Sequence, residues 1–182
     1  VDADESGNMN PALLEQALTT LRGEGHEIKA VVPVDLLGKT ADHATIGRIA
    51  TDHGAVVLSD AAESLGATRD GKQSAAYGVA AAVSFNGNKI MTTSGGGALL
   101  TDDEEMAART RYLATQARQP VVHYEHTDIG YNYRLSNILA ALGRAQLSRL
   151  EGMIERRRAL RIRYRELFAT APGVEMFGEP SG

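Results

Sequence analysis

The 182-residue sequence is 43% hydrophobic and 23% charged, the make-up of an ordinary globular domain large enough to bury a core. A net charge of −4 gives no attraction to nucleic acid or anionic lipid, so neither is an expected partner. Cysteine is absent, which excludes disulfides and thiolate metal sites. No apolar run reaches the ~18 residues that span a bilayer, and the acidic opening "VDADESGNMN" is unlike a signal peptide, so a cytoplasmic location is expected.

That opening reads as though a strand has just ended, and the closing "FGEPSG" stops in a turn-rich stretch; both suggest a segment of a longer chain. Asn10 and Pro11 form a helix start, and "PALLEQALTTLR" predicts a helix over 11–22 that stops at Gly23 and Gly25. "IKAVVPVD" is β-branched and almost continuously apolar, which predicts a strand near 29–35 buried on both faces. Asp42 then caps an amphipathic helix ending at Gly54, and "AVVLSDA" gives a second strand near 55–60. Strands near 81–86 and 97–101 flank the turn that contains Lys89, and "TDDEEMAARTRYL" opens a helix over 103–114 with an Asp-x-x-Glu pattern. From 115 the chain becomes irregular, polar and rich in aromatics. From about 135 it is helical, with a break expected near Gly152. Strand, helix, strand in this order predicts an α/β fold with a mostly parallel sheet and flanking helices.

In such sheets ligands collect beyond the carboxyl ends of the strands. Three strands end there in reactive groups: Asp35; Asp60 with Glu63; and Ser84 with Lys89. An acid and a lysine at neighbouring strand ends can be a simple ion pair, and Lys89 can be a solvated turn residue. Against that, Gly87 and Gly95 to Gly97 would allow a tight turn and close approach to a ligand. A lysine amine freed of its proton by an apolar setting can form a Schiff base with an aldehyde cofactor. Pyridoxal phosphate would then need an acid at its ring nitrogen, and Asp60 is placed to be that acid.

Three stretches, "SDAAESLGA", "SFNGNKIMTTSGGGALLTDDEE" and "GYNYRLSNILAALGRAQL", resemble the DegT/DnrJ/EryC1/StrS family of sugar-nucleotide aminotransferases, in the family's order and across nearly the whole chain. The resemblance implies the central part of a fold-type I (aspartate aminotransferase-like) large domain and pyridoxal 5'-phosphate as cofactor. Residues 1–150 would be part of the cofactor-binding large domain, and 151–182 a helical link toward a small C-terminal domain. By the same resemblance Lys89 matches the Schiff-base lysine, and Asp60 the acid at the ring nitrogen. Glu63 matches a contact on the phenolic-oxygen side of the ring, where many relatives have Gln or His. Ser84 matches a donor to the cofactor phosphate, and Asn132 a phosphate contact reaching in from the other subunit of a homodimer. Lysine at 89 favours transamination, since a dehydrating branch carries His there. The wording of 113–137 is nearest the branch that aminates C4 of UDP-linked 4-keto-6-deoxy-N-acetylhexosamines, with glutamate as donor, for cell-surface glycans. Family chains are about twice as long, and their upstream phosphate-binding helix start and stacking aromatic have no counterpart here.

The remaining features read more plainly. His123 and His126 form an H-x-x-H pair without the carboxylate of a metal motif, so no metal is expected; with Tyr124 they are candidates for substrate contact or for structure. Seven arginines between 149 and 165 alternate with Glu151 and Glu155, and Glu166 follows, as on a solvated helix face. Met91 and Phe85 read as core. The rival reading is a truncated or degenerate domain that folds and dimerises without binding cofactor.

Overall fold

The computed structural model describes residues 1–178. A four-stranded sheet contains β1 (Ala30–Val31), β2 (Val56–Asp60), β5 (Ala80–Ser84) and β6 (Gly97–Leu100) in that order. The first three strands are parallel and β6 pairs antiparallel with β5. Helix α1 (Pro11–Gly23) precedes β1, and α2 (His43–Asp52) lies between β1 and β2, in the order predicted. Their boundaries follow from caps. The Asn10 side chain accepts from the amides of Ala12 and Leu13, that of Asp42 from Thr45, and Gly54 turns the chain at φ 74°.

One face of the sheet packs on these two helices. Leu14, Leu18, Ile46, Ile49 and Ala50 meet Val31 and Val57 in a single buried cluster. The other face departs from the two-sided burial expected. Val32, Val34, Val56, Leu58 and Leu99 are 37% to 52% exposed. β-Branched continuity therefore identifies strands that can accept two layers, but in this chain only one layer is supplied.

The strand expected over 29–35 is also shorter. Pro33 has no N–H to give to the ladder, so β1 stops at Val31 and pairing resumes as a single bridge between Val34 and Asp60. The edge position of β1 makes that tolerable. A small hairpin of β3 (Thr68–Arg69) and β4 (Lys72–Gln73) adds an element that the strand pattern did not suggest. Its turn is Asp70-Gly71, both at positive φ, which is the dipeptide signal of a two-residue hairpin.

Helix α3 (Glu104–Ala114) begins at Asp103, whose carboxylate accepts from Met106 N–H. The stretch after it is irregular, as predicted, but tied down. Gln116 N–H donates to Tyr131 C=O, Tyr131 N–H to Leu113 C=O, and Tyr133 N–H to Ala114 C=O. A Cβ at Gly130 would lie 2.2 Å from the Ala117 nitrogen, so only glycine permits this closure. Helices α4 (Asn137–Leu147) and α5 (Leu150–Phe168) follow. The break falls at Ser148–Arg149, and Gly152 sits inside α5 with nothing near where a Cβ would lie, because a single glycine weakens a helix without stopping it. Met91 is buried and Phe85 half-buried. The last four residues of the 151–182 segment lie outside the described residues.

Candidate active site

Asp60 closes β2 and Ser84 closes the adjacent parallel strand β5. Asp60 pairs with Ala82, and side chains alternate along a strand, so Asp60, Ala82 and Ser84 share one sheet face. It is the face that also carries Leu58 and Leu99. The Asp60 carboxylate accepts from Ala62 N–H through Oδ1 at 3.0 Å, which starts a tight turn over residues 60–64. The Ala61 amide stays bonded to Ala82 C=O, so the turn begins without leaving the sheet.

That turn brings Glu63 to Lys89. Glu63 Oε1 lies 3.2 Å from Lys89 Nζ, and Oε2 accepts from Leu37 N–H at 3.0 Å. The Leu37 amide first, and the Lys89 ammonium second, hold the Glu63 carboxyl below the usual glutamate range. The Lys89 side chain is only 16% exposed and that of Glu63 30%, so the pair lies at a rim rather than on open surface. Leu37 takes the left-handed conformation at φ 53°, ψ 37°, which costs a non-glycine residue about 1–2 kcal/mol. A strained backbone donor aimed at a carboxylate is a feature of functional sites.

The loop between β5 and β6 holds Lys89 in place. Phe85 N–H donates to Gly96 C=O, Thr93 N–H to Phe85 C=O, and Lys89 N–H to Asn86 C=O. Thr92 is bonded to Gln146 on α4 through its amide at 2.9 Å. The glycines divide into two kinds. A Cβ at Gly97 would lie 2.4 Å from Val83 O, and Gly96 sits at φ +89° against Leu135, so these two serve the protein's own packing. Gly87 and Gly95 face open space and leave the turn bare where a ligand could approach.

Other residues singled out from the sequence are placed elsewhere. Asn132 is exposed and bridges Thr115, outside the Lys89 cluster. Asp35, expected at the strand rim with the other acids, is fully buried and bonded to His43, Ser64 and Ala41 N–H, because the chain turns inward after Pro33. His123 lies 3.4 Å from Glu125 while His126 Nδ1 is 2.8 Å from Gln116 O, so the two rings serve different partners. Among the described residues no group of three or more His, Asp or Glu side chains could hold a metal ion, and no helix is long and apolar enough to cross a membrane. The Leu37 amide escaped the sequence reading, since nothing in "DLLGK" marks a leucine for positive φ.

A lysine held by a carboxylate at one strand end, with an acid and a hydroxyl on one sheet face beside it, suits a ring cofactor that needs an amine, an acid and a phosphate donor. Asp60 Oδ1 is engaged by the Ala62 amide, and Oδ2 makes no hydrogen bond among the described residues, so half of this carboxylate is free for a ring nitrogen. The fold is that of an open α/β domain, with Lys89 and three candidate partners gathered at neighbouring strand ends.

The chain belongs to the DegT/DnrJ/EryC1/StrS aminotransferase family, whose model matches residues 1–181. It is 46% identical to EpsN of Bacillus subtilis (strain 168), named as a pyridoxal phosphate-dependent aminotransferase, over 96% of this chain and 45% of EpsN. It is 39% identical to a GDP-perosamine synthase of Caulobacter vibrioides over 79% of this chain and 37% of that protein. Among solved structures, a DegT DnrJ EryC1 StrS aminotransferase from Brucella abortus superposes with a TM-score of 0.90 at 36% identity, covering all of this chain and 49% of that one. The chain thus spans about half the length of the curated relatives it matches.

Proposed function

We propose that the whole protein is a pyridoxal-phosphate-dependent aminotransferase that moves an amino group from glutamate to a nucleotide-linked 4-keto sugar for cell-surface glycan synthesis. The observation that carries this is the Lys89–Glu63 pair beside Asp60 at neighbouring strand ends. Family membership and the name of EpsN support it. The cofactor, when bound, supplies the electron sink that amino transfer requires. Lys89 provides the reactive amine, and the Glu63 carboxylate orients it by accepting from Nζ. Asp60 sets its negative charge at the ring nitrogen, and Ser84 donates to the phosphate. The enzyme works in the cytoplasm, where nucleotide sugars are made.

In this reading residues 1–150 belong to the large domain and 151–182 lead toward a further one. The exposed sheet face around Leu58 then takes a second layer from the rest of the protein. The substrate we favour is a UDP-4-keto-6-deoxy-N-acetylhexosamine, on the wording of residues 113–137. The Caulobacter relative is named for a GDP sugar, so the nucleotide is the point to test. Assayed with glutamate against UDP-, GDP- and dTDP-linked 4-keto-6-deoxy sugars, the full-length protein is expected to aminate the UDP sugar fastest. Activity confined to GDP or dTDP sugars would overturn the choice of nucleotide.

We also propose that the protein is a homodimer with shared sites. Val122, Tyr124, Ile129, Tyr133 and Ile138, which flank Asn132 in sequence, are 78% to 102% exposed, and a second copy would cover them. Each Asn132 would then complete its partner's phosphate site. Mixing inactive full-length Lys89→Ala subunits with inactive Asn132→Ala subunits is expected to restore one working site per heterodimer. No recovery despite proven subunit exchange would sink the shared site.

A further inference from the structure

The structure holds a buried polar cluster beneath the candidate site. Asp35 is 0% exposed and its carboxylate is fully engaged. Oδ1 accepts from Ala41 N–H and lies 2.8 Å from His43 Nε2, while Oδ2 accepts from Ser64 Oγ at 3.0 Å. Its backbone N–H donates to Asp60 C=O. The two outer partners are themselves anchored. The His43 ring stacks on Tyr77 at 4.5 Å and 8°, and Ser64 C=O accepts from Ser74 Oγ.

The connectivity of this cluster bears on the site above it. Leu37 is two residues beyond Asp35, and Glu63 immediately precedes Ser64. The Leu37–Glu63 hydrogen bond therefore joins two short segments that the same carboxylate holds together. The bond to Ala41 N–H closes the Leu36–Thr40 loop on itself, which confines Leu37 to its strained conformation. We propose that Asp35 is a positioning residue: by clamping the loop that bears the Leu37 amide to the turn that bears Glu63, it sets where the Glu63 carboxylate meets Lys89. A carboxylate suits the task because three donors converge on its two oxygens. The inference rests on reading Lys89 as the working amine, but its test needs no turnover.

The test uses the full-length protein without cofactor and two variants, Asp35→Asn and Ser64→Ala. Asparagine keeps the shape but offers one acceptor oxygen in place of two, and Ser64→Ala removes a single anchor. Two quantities are read by NMR: hydrogen exchange of the Leu37 amide, and the pH titration of the Glu63 side-chain carboxyl carbon. In both variants Leu37 exchange is expected to rise about tenfold or more. The Glu63 midpoint should move up toward the ordinary glutamate value as it loses the Leu37 amide. Protection of Leu14, Leu18 and Ile49 in the core should persist.

Unchanged Leu37 exchange and Glu63 titration would overturn the proposal. So would a loss of protection spread evenly through α1 and α2, which is what a merely structural role predicts. If Asp35→Asn does not fold, Ser64→Ala decides by the same two readings. Failure of Lys89 to attach cofactor would leave both readings untouched, so the two ideas fail separately.

Discussion

Lys89→Ala in the full-length protein is expected to eliminate covalent attachment of pyridoxal phosphate and to lower turnover by at least about three orders of magnitude. The expectation is severe because Lys89 is the described lysine that meets Glu63 beside Asp60, and the others are placed elsewhere. Lys29 pairs with Glu27, and Lys72 lies over the Tyr77 ring. Lys39 donates to Ser6 C=O and lies over Phe177. Lys39 is the informative control, since burial first and Arg161 second lower its pKa and so favour a neutral, nucleophilic amine. Mass spectrometry after borohydride reduction should find the cofactor on wild type and on Lys39→Ala but not on Lys89→Ala. Label retained by Lys89→Ala would move the site elsewhere. A wild-type protein that takes no label at all would favour the second reading, a domain that folds without cofactor.

Asp60→Asn should spare cofactor binding and still cost turnover by roughly 100-fold or more, the scale of losing a charged hydrogen bond of about 3 kcal/mol. The substitution is nearly isosteric, and the asparagine Oδ1 can still accept from Ala62 N–H, so the 60–64 turn and Glu63 stay in place. Only the charge is removed. Phosphate contacts and the Lys89 attachment do not depend on it. Steady-state kinetics beside equilibrium binding of cofactor separate the two effects. Near-normal turnover in Asp60→Asn would show that the ring nitrogen does not depend on this carboxylate, and the assignment of Asp60 would fall.

The order of helices and strands was legible in the sequence because its signals are local. Asn10 and Asp42 cap the helices they precede, and the apolar runs ending at Asp60 and Ser84 are strands wherever they are placed. The candidate residues Asp60, Glu63, Ser84 and Lys89 were legible for a related reason, since strand ends in an α/β sheet converge on one edge. Tertiary structure alone decided which acid meets the lysine. Glu63 does so, not Asp60, because the 60–64 turn swings it forward and the Leu37 amide catches it. It also sent Asp35 into the interior, where Pro33 interrupts the ladder and donors from Ala41, His43 and the distant Ser64 converge. Those contacts join residues up to 29 positions apart, and no local propensity encodes a meeting of that kind.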